Sequence, residues 1–310
     1  ALPISAQRVA LKKLKFVRED SGLPCGLDIS AIRELKALRL LSVVNHPFIA
    51  PLLDVWQPSR RPDANLHLIL PFYDCDLESL IKDRDVVFQP ADAKCWIWML
   101  LSALECCHEH DVIHRDLKPG NILIDLKSGH LKLADFGLAR DFSFPSGKDG
   151  SMTPRVVTRW YRPPELLMGA RMYGAAVDMW AAGCIFAELL LRTPFLPGDS
   201  DLNQLNTIYR ALGTPTDWPD VSQLPDFVPF QPQPKPPLRM TFSAASDDAL
   251  DLLDCMLTLN PAKRITAHQA LNHAYFKTLP APTAPENLPR PSLKKPGLPG
   301  IKPRKLNFKK

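Results

Sequence analysis

Three segments in a fixed order constrain this chain more than any other feature of its sequence. They are IHRDLKPGNILI (113–124), LKLADFGLAR (131–140) and VVTRWYRPPELL (156–167). An isolated motif of this kind is most often a solvated polar loop. Three such motifs in order, each rich in charged or amide side chains, instead indicate one chemical site assembled from separate parts of the chain.

The pattern of apolar residues divides the chain into three regions. Residues 1–73 alternate in strand fashion around one helical block at 30–42, whereas residues 74–278 show mostly helical periodicity. Residues 279–310 contain eight prolines and little periodic apolar pattern, which predicts an extended segment without a core.

The positive charge of the chain is concentrated in its last region. Residues 279–310 hold eight Lys or Arg and one Glu, which leaves residues 1–278 with −2 of the total net charge of +5. The folded part is therefore close to neutral, and we expect no nucleic-acid binding by it. A nucleic-acid contact by the basic segment remains an alternative, but a solvated linker or a partner-binding segment is the preferred interpretation.

Cysteine usage and hydropathy indicate which cell compartment and which membrane relationship to expect. The seven cysteines form no C-x-x-C pair, which favours reduced thiols in a cytosolic or nuclear protein. The longest apolar run, 181–191, is interrupted by Glu188 and is shorter than the ~18 residues that a membrane span needs. We therefore expect no membrane association.

The three motifs together resemble those of eukaryotic protein kinases. This resemblance covers residues 1 to about 280 and implies an α+β, bilobal fold. It places a small β-rich N-lobe at 1–73 and a larger helical C-lobe at 74–278, and the basic remainder, 279–310, is expected to be disordered.

The resemblance assigns the transfer of the ATP γ-phosphate to four residues of the first two motifs. Asp116 would orient the substrate hydroxyl and accept its proton, and Lys118 would reach the transferred phosphate. Asn121 and Asp135 would supply oxygen ligands to Mg²⁺, which prefers hard ligands. The DLKP sequence resembles the serine/threonine branch of the family.

The opening strand supplies the expected phosphate-binding lysine. Side chains alternate along a strand, so Ala10 and Lys12 share one face. The resemblance implies that Ala10 lies over adenine and that Lys12 contacts the α- and β-phosphates and pairs with Glu34. For a lone lysine, a surface position on an edge strand would be the alternative.

The segment LHLILPFYDCDLESL (66–80) resembles the hinge that holds adenine. Pro71 would offer its C=O and Tyr73 its N–H, while Leu70 would limit access behind adenine. Asp76 is placed to bind a ribose, and Leu123 would form the floor of the site. The aliphatic residues here would also suit an ordinary core.

SAIRE (30–34) resembles the cyclin-binding helix of cyclin-dependent kinases, and GTPTDWPD (213–220) lies in a long insertion of that family. Within it, the chain most resembles the kinase associated with transcription factor IIH, the CDK-activating kinase, in a fungal-like form. The resemblance implies a cyclin, an assembly factor and transcription factor IIH as partners, and a nuclear location. Its implied substrates are the serine-proline repeats of RNA polymerase II and the activation segments of other cyclin-dependent kinases.

Three arginines from separate motifs are expected to form one phosphate pocket. In such kinases Arg33, Arg115 and Arg140 converge, and their charges repel unless an anion neutralises them. A phosphate on Thr153 would add about −1.5 to −2 charge and three acceptor oxygens. Three unrelated surface arginines are the alternative.

The third motif supplies the expected substrate contacts. Val157, Thr158 and Arg162 resemble residues that bind the protein substrate, with Val157 and Arg162 favouring a proline after the phosphorylated residue. Glu165 and Arg264 match a buried ion pair of the family.

One expected element is absent, because no glycine precedes Lys12. We expect the glycine-rich loop and its strands to lie before Ala1, so that the chain is truncated at its N-terminus. The competing interpretation is a non-catalytic, cyclin-binding scaffold, against which the retention of all charged catalytic residues argues. The segment CCHEHDVIH (106–114) lacks a structural-zinc spacing, so we predict no metal site there.

Overall fold

The computed structural model describes residues 8–14, 16–18, 24–57, 66–141 and 158–291. The strands of this part are β1 (Val9–Lys13), β2 (Phe16–Arg18), β3 (Pro24–Leu27), β4 (Asp54–Trp56), β5 (His67–Pro71), β6 (Cys75–Asp76), β7 (Val112–Ile113), β8 (Ile122–Ile124), β9 (Leu131–Leu133) and β10 (Arg140–Asp141). The helices are α1 (Ile29–Val44), α2 (Leu77–Lys82), α3 (Pro90–Glu109), α4 (Pro164–Leu167), α5 (Ala176–Leu191), α6 (Asp201–Leu212), α7 (Asp247–Met256) and α8 (Ala267–Leu271).

The small lobe combines an antiparallel sheet with helix α1. The sheet has the order β1-β5-β4, and its register places Ala10 opposite Leu70. Helix α1 begins at Asp28, whose carboxylate accepts the N–H of Ser30 at 2.8 Å, and it ends at Asn45 in the left-handed conformation. One face of α1, which includes Glu34, is buried. This face turns a carboxylate toward the cleft below.

The large lobe is helical and is built around α3 and α5. Gln89 and Asp92 form a capping box at the start of α3, with Pro90 in the first turn. The apolar run of α5 is buried almost all round, so it is core rather than a membrane segment. None of the described helices is both long and apolar enough to span a bilayer. The α+β architecture with a small β-sheet lobe and a helical lobe agrees with the prediction.

The beginning of the predicted tail is packed on the large lobe. Thr283 donates through its hydroxyl to Asp92 at 2.6 Å, and the Lys94 ammonium donates to the carbonyls of Thr278 and Pro280, each at 2.8 Å. Leu288 is buried in the core. The prediction of disorder is therefore wrong for residues 279–291. Side-chain hydrogen bonds and one buried leucine hold this segment to the lobe, and such contacts produce no periodic sequence pattern. Residues 292–310 lie outside the described part.

Candidate active site

The ammonium group of Lys12 lies between two carboxylates in the cleft. Its Nζ is 2.6 Å from Glu34 Oε1 on α1 and 2.6 Å from Asp135 Oδ1. Burial alone would lower the pKa of Lys12, but the hydrogen bonds to Asp135 and Glu34 outweigh it and raise that pKa. Lys12 is therefore firmly cationic, and it joins the sheet, helix α1 and the second motif.

Asp135 is held in an uncommon backbone conformation. Its φ is 62° and its side chain accepts the N–H of Gly137 at 3.4 Å. Burial raises the pKa of Asp135, yet the hydrogen bond from Lys12 outweighs this and the net shift is downward. A Cβ at Gly137 would come within 3.2 Å of Asp135 Oδ1 and 3.5 Å of Lys12 Nζ, so glycine leaves the room that this ion cluster occupies.

The first motif forms a second cluster around Asp116. Lys118 Nζ and Asn121 Nδ2 both donate to Asp116 Oδ2 at 2.9 Å. Thr158 Oγ1 donates to Asp116 Oδ1 at 3.2 Å and also accepts from Lys118 Nζ at 3.3 Å. Thr158, predicted as a substrate contact, thus lies within the charged cluster itself.

A buried carboxylate on α5 holds the loop that carries Asp116. Asp178 is 1% exposed and accepts the backbone N–H groups of His114 and Arg115, each at 2.9 Å. Arg115 has a φ of 65°, so the carboxylate stabilises a strained turn. Burial raises the pKa of Asp178, but the hydrogen bond from His108 outweighs this and holds it below its usual range.

The two clusters border one cavity of about 260 Å³, which Lys12, Glu34, Asp116 and Asp135 help to line. The Asn121 amide nitrogen donates to Asp116, so the amide oxygen is the atom of this side chain that could serve as a metal ligand. Together with the Asp135 carboxylate it offers the hard oxygen donors that suit Mg²⁺. These residues therefore fit a magnesium-bound nucleotide by the chemistry of their donor atoms.

The predicted adenine contacts come from two pairs of strands, β1 with β5 and β6 with β8, and from the segment after β5. Ala10 faces Leu70 across β1 and β5, and Leu123 on β8 faces Asp76 on β6. Asp76 Oδ1 accepts the N–H of Ser79 at 2.7 Å, so this carboxylate caps α2. Pro71 ends β5, and Tyr73 follows it in the hinge.

The structure brings the three predicted arginines together. Arg115 and Arg140 are buried, and the pKa of Arg140 is lowered first by burial and then by the charges of Arg33 and Arg115. Arg115 also donates to Leu138 O at 2.7 Å and to the hydroxyl of Tyr173 at 2.9 Å. Tyr173 lies in none of the motifs, so its contact with Arg115 could not be predicted from the sequence.

The third motif forms ion pairs of which the sequence predicts only one. Arg162 donates to Asp201 at 3.1 Å, and Arg159 shares that carboxylate at 3.0 Å. Glu165 and Arg264 form the expected buried pair, with two hydrogen bonds of 2.7 and 3.0 Å. Thr153 and Val157 were also predicted as functional, and both lie outside the described residues.

In the part of the chain that the structure describes, Asp251, Cys255 and His273 form a further cluster of possible metal ligands. His273 Nδ1 accepts the N–H of Tyr275 at 3.2 Å, and Nε2 lies 3.1 Å from Asp251 Oδ2. The neutral ring therefore carries its proton on Nε2, where it donates to the carboxylate. Burial raises the pKa of the Cys255 thiol. This arrangement is a hydrogen-bonded cap of the turn at Ala274–Phe276, and it offers no free imidazole nitrogen to a metal.

Comparison with known proteins gives a consistent result. The family model of the protein kinase domain matches residues 4–276. The chain is 52% identical over 290 residues to serine/threonine-protein kinase crk1 of Schizosaccharomyces pombe, which covers 92% of this chain and 81% of that protein. It is 51% identical over 286 residues to cyclin-dependent kinase 7 of Xenopus laevis, covering 92% of this chain and 78% of that protein.

Cyclin-dependent kinase D-1 of Oryza sativa subsp. indica is 51% identical over 285 residues, or 91% of this chain, and the chain spans 64% of its length. Among solved structures, a chain of the CAK complex of Chaetomium thermophilum bound to ATP-gamma-S superimposes with a TM-score of 0.82 at 44% identity. That match covers 92% of this chain and 87% of the other.

Proposed function

This chain belongs to the protein kinase family and, within it, to the cyclin-dependent kinases, and we propose that it transfers the γ-phosphoryl group of ATP to serine and threonine hydroxyls of proteins. One observation carries the proposal. The Asp116 cluster and the Lys12 cluster border the same cavity, so a proton acceptor and a phosphate-binding cation face one space.

The side chains support distinct roles in such a transfer. Asp116 Oδ1, which here accepts from Thr158, accepts the proton of the substrate hydroxyl, and Lys118 neutralises charge beside it. Lys12 binds phosphate oxygens on the opposite side of the cavity, where Glu34 fixes its position. A magnesium ion held by Asn121 and Asp135 would supply further positive charge at the phosphates.

Helix α1 supports a cyclin as the regulatory partner. Ile29 and Ile32 are 61% and 51% exposed, although both are large apolar side chains. Glu34 lies on the opposite, buried side of the same helix and holds Lys12. A cyclin that covers the exposed face would therefore fix the helix position on which the Lys12–Glu34 contact depends.

The similarity to cyclin-dependent kinase 7 and to a CAK complex supports a more specific proposal about partners and location. We extend the proposal to an assembly factor, to transcription factor IIH and to a nuclear location, because relatives named cyclin-dependent kinase 7 and a CAK complex resemble the chain over most of its length. The proposed substrates are proline-directed serines and threonines, in the RNA polymerase II repeats and in the activation segments of other cyclin-dependent kinases.

The test is a radiolabelled ATP assay on both substrate types, with the 310-residue chain and a version extended upstream, each with candidate cyclins. We expect serine or threonine labelling that Lys12→Met abolishes. If every version binds a cyclin and none labels protein, the non-catalytic scaffold is the better description.

A further inference from the structure

The turn after Thr158 is tied at its beginning to the proposed proton acceptor. Thr158 Oγ1 donates to Asp116 Oδ1 at 3.2 Å, and the backbone N–H of Tyr161 donates to Thr158 O at 2.9 Å. The backbone N–H of Arg162 donates to Arg159 O at 3.0 Å and closes the turn. A movement of this turn would therefore move the side chain that contacts the Asp116 carboxylate.

The loop before α6 holds the same turn from the other side through two backbone carbonyls. Trp160 Nε1 donates to Gly198 O at 3.0 Å, and Arg159 Nη1 donates to Asp199 O at 2.9 Å. Because both acceptors are main-chain atoms, these two bonds do not depend on the side chains of the loop. They anchor the first half of the turn.

A single carboxylate oxygen joins the two halves of the turn. Asp201 Oδ1 accepts from Arg159 Nε at 3.0 Å and from Arg162 Nη1 at 3.1 Å. Such charge-assisted hydrogen bonds are stronger than those between neutral groups. The side chain of Arg162 is 12% exposed, whereas that of Asp201 is 44% exposed. Asp201 thus holds a nearly buried guanidinium group from the protein surface.

The position of Asp201 is itself well defined by helix α6. Ser200 caps this helix by accepting the N–H of Asn203 at 3.1 Å, so Asp201 lies in the first turn, where a negative charge is stabilised. Gln204 is fully buried and donates to Leu196 O at 2.8 Å. The carboxylate therefore projects from a helix that is fixed to the core of the large lobe.

We propose that Asp201 is a positioning residue that sets the preference of this kinase for proline directly after the phosphorylated serine or threonine. It does so by holding Arg159 and Arg162 in one arrangement, which fixes the turn that follows Thr158. The inference rests on the proposed kinase function and deepens its proline-directed specificity.

Selection of proline over alanine requires a surface that does not move. Proline differs from alanine by two ring carbons and a missing backbone N–H, and one methylene in a pocket changes kcat/KM by about 10–200-fold. A site keeps such discrimination only if its groups are held to within about 0.5 Å. Replacement of Asp201 removes an ionic partner from Arg162, so the turn can relax around either substrate residue.

A purely structural role of Asp201 would give a different result. Partly exposed ion pairs contribute little to the free energy of unfolding. Trp160 and Arg159 also keep their backbone acceptors when the Asp201 side chain is changed. We therefore expect a loss of substrate selectivity without a loss of the fold.

The experiment measures kcat and KM of the cyclin-bound full chain on two peptides that differ only by proline or alanine after the serine. The readout is the proline-to-alanine ratio of kcat/KM for wild type, Asp201→Ala, Asp201→Asn and Asp201→Glu, together with KM for ATP. Asp199→Ala is the matched control, because it removes an exposed carboxylate of the same loop and keeps the carbonyl that accepts from Arg159.

We expect a ratio of about 50 or more in the wild type and in Asp199→Ala. Asp201→Ala should lower this ratio about 5–10-fold, mainly by raising KM for the Ser-Pro peptide, while KM for ATP stays within about twofold. Asp201→Asn keeps an acceptor oxygen but loses the charge, so it should lower the ratio about 2–4-fold. Asp201→Glu keeps both and should retain at least about half of the wild-type ratio.

An unchanged ratio in Asp201→Ala overturns the inference, and so does an equal loss of kcat/KM on both peptides. If Asp201→Ala melts well below the wild type, Asp201→Asn takes its place, and an unchanged ratio there overturns the inference. A wild type without a preference for proline also overturns it, while phosphorylation of both peptides upholds the kinase function. Absence of labelling on every peptide would instead refute the kinase function itself.

Discussion

The Lys12 ammonium donates to Glu34 Oε1 at 2.6 Å and so connects strand β1 with helix α1 across the cleft. The Glu34 side chain is 5% exposed, whereas that of Lys12 is 37% exposed. The carboxylate is thus fixed by the protein, and the ammonium end still reaches the cavity. A displacement of α1 would therefore move the cation that we propose binds phosphate.

Replacement of Lys12 should therefore lower the phosphorylation activity much more than it weakens cyclin binding. We expect Lys12→Met to lower kcat/KM by ~10²-fold or more, because a preorganised cation at the phosphates is lost. Glu34→Gln should cost less, since the amide oxygen still accepts from Lys12. Steady-state phosphorylation with the bound cyclin tests both. Lys13→Met, at the exposed next position of the strand, is the control. Equal losses in Lys12→Met and Lys13→Met would contradict the assignment.

The buried pair of Glu165 and Arg264 should be a determinant of stability. Arg264 makes two hydrogen bonds to Glu165, and the pair is almost fully excluded from water. Arg264→Leu leaves a buried carboxylate unpaired, so we expect a loss of ~3–5 kcal/mol in the free energy of unfolding. Lys263→Leu breaks the exposed pair with Asp217 and should cost less than ~1 kcal/mol. Urea unfolding monitored by circular dichroism compares them, and similar losses in both variants would count against the burial argument.

The contacts that could be predicted are those that the resemblance to protein kinases implies. Lys12 with Glu34, and Glu165 with Arg264, could be expected because these residues match paired positions of that family. The pairing of Asp201 with Arg162 could not, because the acidic residue starts a helix with an ordinary sequence. The position of Asp201 beside Arg162 is decided by how the turn Arg159–Tyr161 packs against α6.

Other features were missed for a different physical reason. Residues 279–291 are held by single hydrogen bonds and one buried leucine, and such contacts produce no apolar period that a sequence pattern can show. The space that Gly120 leaves for the end of Glu78 depends on an absent side chain, which no sequence pattern marks. Tertiary packing decides both cases.

The arginine cluster predicts a response to phosphorylation of Thr153. Arg115 and Arg140 are buried, and neighbouring positive charge lowers the pKa of Arg140 beyond the effect of burial. A phosphate relieves this repulsion through charge-assisted hydrogen bonds, so the phosphorylated chain should melt several degrees higher.

Thr153→Ala should remove this gain and lower activity most when no assembly factor is bound. Differential scanning fluorimetry and peptide assays with cyclin alone measure the two effects. Ser151→Ala serves as the control, because it removes a hydroxyl two residues away. Unchanged activity of Thr153→Ala with cyclin alone would argue against a phosphate pocket.

Glu188 should make the fold less stable as the pH rises above the ordinary range of a carboxyl group. It is 3% exposed, and burial raises its pKa above the usual range of a glutamate. The hydrogen bond from Tyr161 opposes this shift, and the charge of Glu78 adds to it. Between the unfolded and the folded pKa, the folded chain binds more protons, so the free energy of unfolding falls with rising pH in that window. Glu188→Gln keeps an acceptor for the Tyr161 hydroxyl and removes the buried charge. We expect this variant to gain roughly 0.5–2 kcal/mol at pH 7.5.

The measurement is urea unfolding between pH 4.5 and 8. The free energy of unfolding of the wild type is subtracted from that of Glu188→Gln, so that the contributions of other titrating groups cancel. This difference should grow as the pH rises from the unfolded to the folded pKa of Glu188 and should then level off. Glu109→Gln, an exposed change of the same chemistry, should show no such trend. Tyr161→Phe removes the donor to Glu188 and should steepen the dependence instead, with a cost of ~1–3 kcal/mol. A constant difference between wild type and Glu188→Gln across this range would mean that Glu188 titrates at the same pH in the folded and unfolded chains.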